Sequence, residues 1–422
     1  MDRIRIEGGK ALCGSVYIQG SKNAALPVMA AAVLHKGITV LKNCPRITDV
    51  RDMEQILKNL GAETYWEDHT LTLDCRNIVR TNVPMEYGSR MRSSVILMGS
   101  LLGRMKEVTV PYPGGCTIGR RPVDLHLKVF RQMGVQVEER EGMLHAACGR
   151  IRPAEYLFPF RSVGATENAI LAAAAGEGET VLKNCAIEPE ITHLCRFLNK
   201  MGICIEGAGT DRLAIKGGTA MRDTVFAIPP DRIAAGTYLF AGAITRGKVV
   251  LEDAPAEELD SILKVYEKMG GQYYWNSGKL VTDSRHVGNS VSYVETASYP
   301  GFPTDMQSVL MSVLATARGD SVIREQIFEE RFKIVSLLNR MGARILVDGR
   351  DALIHGVETL KGQHVFAEEL RGGAALVLAG LAAEGITVID NPHFIRRGYE
   401  NFCENLAALG GNITIGRETF SI

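Results

Sequence analysis

The chain has 422 residues, too many for one ordinary hydrophobic core, so its length predicts two domains of roughly 200 residues each. Apolar residues make up 46% of the sequence and charged residues 23%, proportions typical of a water-soluble globular protein. Lys and Arg together number 48, as do Asp and Glu, which excludes a strong net field toward nucleic acid or a membrane surface and makes any anion site local.

The nine cysteines are odd in number, scattered and without the CxxC pairs of a zinc or redox site, a pattern that suits a reducing cytoplasm. Residues 1–7 have no apolar signal-peptide core, and no uncharged apolar run is long enough to span a membrane. The sequence also lacks a P-loop, a GxGxxG after a strand and an HExxH metal motif. We expect a cytoplasmic protein without metal ion or cofactor, and without nucleic-acid or membrane partners.

A hydrophobic residue followed by glycine closes a helix-like segment six times along the chain. The pairs are Leu60-Gly61, Met133-Gly134, Met201-Gly202, Met269-Gly270, Met341-Gly342 and Leu409-Gly410. Subtracting successive glycine positions gives spacings of 73, 68, 68, 72 and 68 residues. Such regular spacing indicates an internal repeat, and we interpret the chain as six copies of one unit.

Every copy has the same predicted elements. An Ala-rich helix comes first, followed by a short β-branched strand, an amphipathic helix that ends at the glycine, and a strand pair. In the first copy the later elements are the strand 38–41, the helix from Asp49 to Leu60 and the strand pair 64–66 and 71–73. Six such units predict an α/β fold with helices inside and sheets outside, three units to each of two domains.

The first strand pairs poorly with the copy that follows it. It covers residues 4–6 with a continuation at 16–18, and we expect it to complete the last copy and make one domain discontinuous. The predicted domains are therefore residues 1–21 with 230–422, and residues 22–229. The alternative is an open array of six units, although nothing in the sequence resembles an end cap.

A glycine-rich loop, PGGCTIGRRPVDLH at residues 113–126, follows the second β-branched strand. Its one thiol, Cys116, lies between a Gly-Gly pair and two arginines. These surroundings favour the thiolate and suit a nucleophile or a general acid near neutral pH. The alternative is that Cys116 is a small buried filler, since free cysteine is often buried.

Five of the six Ala-rich helices begin with basic residues, although the positive end of the helix dipole disfavours them there. They are Lys22, Arg90 with Arg92, Arg161, Arg232 and Arg371. Any one of them would be interpreted as an ion pair with a nearby acid, but five equivalent ones indicate a clamp for a polyanionic ligand between the two domains. The sixth start has Asp305, which is either a first-turn acid after Thr304 as N-cap or a carboxylate that accepts a proton from a ligand hydroxyl.

Six stretches together resemble the UDP-N-acetylglucosamine enolpyruvyl transferases of the EPSP synthase-like superfamily, and the resemblance runs along the whole chain. They are residues 20–27 (GSKNAALP), the loop at 113–126, 229–233 (PPDRI), 302–307 (FPTDMQ), 328–332 (FEERF) and 397–400 (RGYE). The resemblance implies two inverse α/β barrel-like domains of three repeats each, joined by a double crossover. It also implies a transferase for the first committed step of bacterial peptidoglycan synthesis.

By this resemblance, phosphoenolpyruvate and UDP-N-acetylglucosamine bind in the cleft between the domains and react by addition and elimination. The sugar 3′-hydroxyl attacks C2 of phosphoenolpyruvate while C3 is protonated, and phosphate then leaves the tetrahedral ketal. Cys116 would be the acid that protonates C3 and can be held as a phospholactoyl adduct. Asp305 would take the hydroxyl proton. The implied partners are these small molecules alone, with a monomeric enzyme.

Binding roles are implied for further residues. Lys22, Arg121 and Arg397 would hold the phosphate and carboxylate of phosphoenolpyruvate, and Lys22 and Arg397 belong to the implied catalytic set. Arg92, Arg331 and Arg371 would assist them. The residues that would line the nucleotide-sugar site are Asn23, Pro122, Val123, Asp124, Leu125, Ser162, Val163, Gly164 and Ile327. So many cations suit ligands that bring three phosphates and a carboxylate together.

The chain departs from the family pattern at four positions. Arg161 stands close to where a lysine is usual, Ala234 replaces a glutamate, Phe394 replaces a histidine and Arg396 replaces an acid. These departures concern substrate geometry rather than the reaction. Because the loop residue is Cys116 and not the aspartate of some members, we expect inactivation by the epoxide fosfomycin.

Two other functions are compatible with parts of the pattern. 5-Enolpyruvylshikimate 3-phosphate synthase has the same architecture and cosubstrate but lacks this cysteine loop. A non-catalytic paralogue that binds the nucleotide sugar would tolerate the departures at Ala234 and Arg396. The intact set of Lys22, Cys116, Asp305 and Arg397 argues against that second alternative.

Overall fold

The structure is a computed structural model that describes residues 2–112, 119 and 122–416. Within these ranges the chain divides into two compact units. We call residues 2–19 with 230–416 the terminal unit, and residues 20–112 with 122–229 the middle unit. That the two units are domains able to fold alone stays a prediction.

Strands and helices alternate along both units. Up to residue 112 they are β1 (Arg3–Glu7), β2 (Cys13–Tyr17), α1 (Lys22–Ala32), β3 (Ile38–Lys42), α2 (Thr48–Leu60), β4 (Glu63–Glu67), β5 (Thr70–Asp74), α3 (Met85–Gly88), α4 (Leu97–Met105) and β6 (Glu107–Pro111). From residue 122 to 229 they are α5 (Asp124–Gln132), β7 (Gln136–Arg140), β8 (Met143–Ala147), β9 (Glu155–Leu157), α6 (Val163–Ala175), β10 (Gly178–Lys183), α7 (Pro189–Met201), β11 (Cys204–Glu206), β12 (Arg212–Gly217) and β13 (Thr224–Ala227).

The terminal unit continues the same alternation after residue 230. Its elements there are α8 (Arg232–Ile244), β14 (Lys248–Glu252), α9 (Asp260–Lys268), β15 (Gln272–Asn276), β16 (Lys279–Asp283), β17 (Tyr293–Glu295), α10 (Gln307–Leu314), β18 (Asp320–Arg324), α11 (Ile334–Arg340), β19 (Arg344–Asp348), β20 (Asp351–His355), β21 (His364–Phe366), α12 (Leu370–Ala382), β22 (Ile386–Asp390), α13 (Phe402–Ala408) and β23 (Asn412–Gly416). Short 3-10 turns at Arg92–Ile96, Thr304–Met306, Arg331–Lys333 and Pro392–Arg397 precede helices α4, α10, α11 and α13.

The described strands form six sheets, three in each unit. The middle unit has the orders β13-β3-β5-β4, β6-β8-β7 and β11-β12-β10-β9, and the terminal unit has β15-β16-β14-β2, β17-β18-β20-β19 and β21-β22-β1-β23. Five sheets combine three antiparallel strands with one parallel edge strand. The sixth keeps its three antiparallel strands and a single parallel bridge between Asn82 and Thr109. The predicted repeat is thereby confirmed, and its copies group by three rather than in an open array.

The N-terminal strands serve two different sheets. β1 pairs antiparallel with both β22 and β23, so the expectation that residues 4–6 complete the last copy is confirmed. The same expectation for residues 16–18 is wrong, because β2 lies parallel to β14 of the fourth copy. In return β13, which precedes α8, lies parallel to β3 of the first copy. This exchange of edge strands is the double crossover that the family resemblance implies.

Each unit has its own apolar core, built on the Ala-rich helices. All 13 residues of α8 are buried, as are most of α6 and α12. The strands instead alternate buried and more exposed residues, as β18 does. Because side chains of a strand point alternately to its two faces, each sheet covers the helices with one face and meets water with the other.

The six glycines of the repeat end the amphipathic helices, as predicted. All of them have positive φ, which glycine adopts without the steric cost that a Cβ brings. At Gly61 a Cβ would lie 2.4 Å from the carbonyl oxygen of Asn77, so any other residue would also displace the backbone.

Candidate functional site

In the terminal unit, two arginines hold the carboxylate of Asp305. Arg331 Nη2 donates to Asp305 Oδ1 at 2.8 Å, and Arg371 donates to Oδ2 through Nη2 at 2.9 Å and Nε at 3.2 Å. The arginine side chains are only 2% and 3% exposed, whereas that of Asp305 is 27% exposed. The cluster therefore presents a charge-compensated carboxylate that solvent or a ligand can reach.

Local structure fixes both guanidinium groups. Arg371 lies in the first turn of α12, and its guanidinium lies over the ring of Tyr399 at 5.3 Å. Arg331 begins the 3-10 turn before α11 and lies 5.5 Å from the ring of Phe328. Burial acts to lower the pKa of Arg371, but Tyr399 and Asp305 raise it above its ordinary value. The Arg371 guanidinium therefore stays cationic.

Each arginine also keeps one donor nitrogen without a partner in the described part of the chain. Nη1 of Arg371 and Nε of Arg331 are buried and have no hydrogen-bond partner among the described residues. Since an unsatisfied buried donor is costly, such atoms indicate a site that a ligand or ordered water completes.

Arg397 ends the 3-10 turn Pro392–Arg397, ahead of α13. Gln19 fixes the backbone directly after it, because its side chain donates to the Gly398 carbonyl at 3.0 Å and accepts from the Glu400 N–H at 2.7 Å. Partial burial, together with the positive charge of Arg397 and Arg396, lowers the pKa of His393 in the same turn. Arg397 therefore stands at the end of a turn whose following backbone is held by Gln19, next to a second arginine, Arg396.

In the middle unit, Lys22 is the first residue of α1, with Ser21 as N-cap. Its Nζ lies 2.7 Å from Oδ2 of Asp49, a buried carboxylate in the first turn of α2. Asn23 follows on the same turn. Lys22 is thus paired with a buried carboxylate, and the binding role that the resemblance implies for it stays a prediction.

The residues before α5 meet Arg92 and α6. Nη2 of Arg92 donates to the carbonyl oxygen of Pro122 at 3.1 Å. Val123 and Leu125 are buried, and Asp124 pairs with Lys128 on the exposed side of the helix.

Helix α6 brings the second part of the predicted nucleotide-sugar site to α5. Ser162 is its N-cap, and Val163 and Gly164 form its first turn. A Cβ on Gly164 would lie 3.1 Å from Cε1 of His126, so the ring of His126 packs directly on this turn. The stretches 122–125 and 162–164 therefore lie close together, and their common role toward a ligand stays a prediction.

Asn168 in α6 orients the ring of His126. Its Oδ1 accepts from the Gly99 N–H at 2.8 Å, which fixes the amide so that Nδ2 donates to the Val95 carbonyl at 3.0 Å and to His126 Nδ1 at 2.8 Å. This orientation makes Nδ1 of His126 an acceptor and leaves the ring proton on Nε2.

The structure corrects one further prediction about a helix start, at Thr304, and shows the surroundings of another, Arg161. Thr304 is not an N-cap: Pro303 precedes the 3-10 turn, and the Thr304 hydroxyl donates to Glu325 instead. Arg161 forms a loose 3.6 Å pair with Asp211 at the surface.

The other three departures from the family pattern make packing or surface contacts. Two of the predicted site residues lie outside the described ranges. Ala234 is fully buried in α8, Phe394 packs on the core, and Arg396 pairs with Asp2 at 3.1 Å. Cys116 and Arg121 lie outside the described residues, so the geometry of the loop acid stays a prediction.

Three residues at the site were missed by sequence reasoning: Asp49, Glu325 and Tyr399. Two of them carry a signal that could have revealed them. Asp49 lies one turn before Met53 on the apolar face of α2, and the alternation of β18 places residue 325 on its buried side. A charged residue at a position that the pattern places inside is a candidate for a positioning role.

Two kinds of site have no support within residues 2–112, 119 and 122–416. In those ranges no group of three or more His, Cys, Asp or Glu could hold a metal ion. Their helices are also too short or too polar to cross a membrane.

Solved structures define the fold. The enolpyruvyl transferase NikO from Streptomyces tendae matches with a TM-score of 0.87 at 24% identity, over 98% of each chain. EPSP synthase from Acinetobacter baumannii matches with a TM-score of 0.73 at 18% identity, over 99% of this chain and 100% of the other. The fold is that of the enolpyruvyl transferases.

Sequence comparison gives the family. The sequence model of the family EPSP synthase (3-phosphoshikimate 1-carboxyvinyltransferase) matches residues 6–406, so the chain belongs to this family. Among curated relatives, UDP-N-acetylglucosamine 1-carboxyvinyltransferase 2 of Caldanaerobacter subterraneus subsp. tengcongensis is 43% identical, over 98% of this chain and 99% of the relative. UDP-N-acetylglucosamine 1-carboxyvinyltransferase of Nitratidesulfovibrio vulgaris is 42% identical over the same shares.

Proposed function

We propose that this protein transfers the enolpyruvyl group of phosphoenolpyruvate to the 3′-hydroxyl of UDP-N-acetylglucosamine and releases phosphate. The names of relatives at 42–43% identity over nearly the whole chain support this reaction. The observation on the molecule that carries it is the accessible carboxylate of Asp305 between two buried arginines.

Asp305 suits the role of base toward the sugar hydroxyl. Two guanidinium groups fix its oxygen atoms, while the exposed part of the carboxylate remains able to accept a proton. As that proton leaves, the sugar oxygen bonds to C2 of phosphoenolpyruvate and C3 takes a proton from Cys116. Loss of a C3 proton then expels phosphate from the ketal and restores the double bond.

Different cations bind the different anionic groups of the substrates. Lys22, Arg121 and Arg397 hold the phosphate and carboxylate of phosphoenolpyruvate, and Arg92 assists them. The unused donors of Arg331 and Arg371 add charge-assisted hydrogen bonds near the reacting hydroxyl. The nucleotide sugar lies along Asn23, Ile327 and the adjoining stretches 122–125 and 162–164.

The setting of the enzyme belongs to the same proposal. It acts as a monomer in the cytoplasm, on the first committed step of peptidoglycan synthesis, and so serves cell-wall biogenesis, cell shape and cell division. Cys116 makes it a fosfomycin target. Mass spectrometry checks this last point: a fosfomycin adduct on the Cys116 peptide supports the assignment, and full activity without an adduct contradicts it.

The test is phosphate release from phosphoenolpyruvate in the presence of UDP-N-acetylglucosamine, with shikimate 3-phosphate in a parallel assay and Cys116→Ala as the control variant. Release that requires the nucleotide sugar and is lost in the variant supports both the transfer and the loop acid. Release with shikimate 3-phosphate assigns the chain to the other activity of the family. Binding of the nucleotide sugar without release favours a non-catalytic paralogue.

A further inference from the structure

Glu325 is a buried acid at the end of β18 that takes no direct part in the proposed reaction. The residue is 1% exposed, although glutamate is among the residues least often buried. Its own backbone is locked in place, since the Glu325 N–H donates to the Arg350 carbonyl at 2.8 Å and Arg350 Nη1 donates to the Glu325 carbonyl at 3.1 Å. Because the backbone of Glu325 is held on both sides, its side chain can hold the groups that it binds.

Both side-chain oxygens of Glu325 accept hydrogen bonds from segments that carry proposed site residues. Oε2 accepts from the Thr304 hydroxyl at 2.9 Å. Oε1 accepts from the backbone N–H of Ile327 at 2.8 Å and of Phe328 at 3.1 Å. One carboxyl group thus joins the 3-10 turn before α10 to the loop after β18.

These contacts reach three parts of the site. Thr304 directly precedes Asp305, the proposed base. Ile327 is a proposed wall of the nucleotide-sugar site, and the ring of Phe328 lies against the guanidinium of Arg331. Arg331 in turn donates to Asp305. Glu325 is therefore connected to Asp305 by two routes, through Thr304 and through Phe328 with Arg331.

We propose that Glu325 is a positioning residue, which sets the place of Asp305 relative to the nucleotide sugar by binding the Thr304 hydroxyl and the 327–328 backbone together. The proposal rests on the proposed function. It assigns Glu325 no contact with substrate and no proton transfer. Its effect is geometric, and a displacement of about 1 Å in a reacting group lowers rates by about 100-fold.

The role predicts a specific kinetic pattern for Glu325→Ala. Since both the base and one wall of the sugar site lose their anchor, kcat falls about 10- to 100-fold and KM for UDP-N-acetylglucosamine rises. KM for phosphoenolpyruvate stays unchanged, because Lys22, Arg121 and Arg397 hold that substrate. Loss of folded protein alone would instead lower kcat without changing either KM.

Two further variants sharpen the test. Glu325→Gln keeps an oxygen for the 327–328 N–H groups and restores part of the lost kcat. Thr304→Val removes only the hydroxyl bond and lowers kcat less than Glu325→Ala does. When Thr304→Val is combined with Glu325→Gln, the losses are not additive, because both act through the same contact. If Glu325→Ala does not fold, these two variants decide the question.

Glu54→Gln is the matched control. Glu54 is also a buried glutamate that accepts a threonine hydroxyl, from Thr64 at 2.6 Å, but it joins α2 to β4. Its other side-chain partners in the described part of the chain, Trp66 and Lys58, are not proposed site residues. Its replacement is expected to lower stability and leave kcat and both KM values unchanged.

The measurements are steady-state kinetics with each substrate varied and thermal unfolding of every variant. Wild-type turnover with the predicted split between the two KM values supports the role of Glu325. Wild-type turnover with unchanged constants in Glu325→Ala and Thr304→Val, or with losses that follow the folded fraction, overturns it. A wild type without turnover overturns the proposed function itself, and the positioning role with it.

Discussion

Arg371 binds Asp305 through two nitrogen atoms, and this geometry depends on the planar guanidinium rather than on charge alone. Arg371→Lys keeps the charge but can offer only one point donor to Oδ2. We expect it to fold and to lose about 3 kcal/mol of transition-state stabilisation, or roughly 100-fold in kcat/KM. Steady-state kinetics at saturating phosphoenolpyruvate measures the loss.

Arg285→Lys is the control for that substitution. Arg285 also binds a carboxylate through Nε and Nη2, in this case both oxygens of Asp283, but it does so on an exposed strand end. Exposed pairs contribute little, so its kcat/KM and unfolding temperature should match those of wild type. An Arg371→Lys enzyme as active as Arg285→Lys would contradict the importance of the bidentate pair.

Glu167 in α6 is a second buried acid with a measurable signature. Burial raises its pKa well above the usual value, and the nearby Glu190 and Glu188 raise it further. The folded chain therefore binds this proton more tightly than the unfolded chain, and stability falls as the pH rises above the ordinary glutamate value of about 4.3. Glu167→Gln removes the ionisation and should unfold at a higher temperature than wild type near pH 8, with the difference vanishing toward pH 4.

Glu54 is expected to give stability the opposite pH dependence. Burial acts to raise its pKa, but hydrogen bonds from Lys58, Thr64 and Trp66 outweigh burial and lower it. Its stabilising contribution is present above the unfolded pKa and is lost as the pH falls through the folded one. Glu54→Gln should therefore be less stable than wild type at neutral pH and equal to it in acid. Thermal unfolding of both variants across pH would refute this assignment if the two curves shift in the same direction.

At the scale of elements, the start of α12 shows how a helix end supports the site. Glu369 is the N-cap, and its carboxyl oxygens accept from the N–H groups of Arg371 and Gly372. Glu369→Ala leaves these groups without a partner and should lower the free energy of unfolding by about 1 kcal/mol. Glu368→Ala, at the exposed neighbouring position, should lower it little. Denaturant unfolding compares them, and equal midpoints would exclude the cap.

The sequence predicts elements of this molecule well where a pattern repeats. The six glycine-closed helices and their strands follow from periodicity, because the same apolar spacing recurs in each copy. The 3-10 turn at Thr304–Met306 does not follow from it. The alternative that makes Thr304 an N-cap is wrong, since its hydroxyl binds Glu325, which is distant in sequence. Motif resemblance likewise named Lys22, Asp305 and Arg371 without revealing which groups hold them, because ion pairs such as Lys22 with Asp49 form only in the folded chain.

At the scale of the whole molecule, two separate cores predict two separate unfolding events. Leu171 and Leu378 occupy the same position in the equivalent helices α6 and α12, and both are fully buried. Leu171→Ala should destabilise the middle unit, and Leu378→Ala the terminal unit, by about 2–5 kcal/mol each. Calorimetry should show a different transition moving in each variant. A single transition that moves equally in both would mean that the units unfold as one.

The exchange of edge strands has a genetic consequence. In the terminal unit the Asp231 N–H donates to the Gln19 carbonyl at 2.9 Å, and in the middle unit the Ser21 N–H donates to the Pro229 carbonyl at 2.7 Å. The two ends of the middle unit are therefore neighbours. In the terminal unit, the two points at which its chain is interrupted, Gln19 and Asp231, are neighbours as well. A gene could gain, lose or circularly permute residues 20–229 by joining adjacent ends with a short linker, so this architecture is the one expected when one three-copy ancestor is inserted into another.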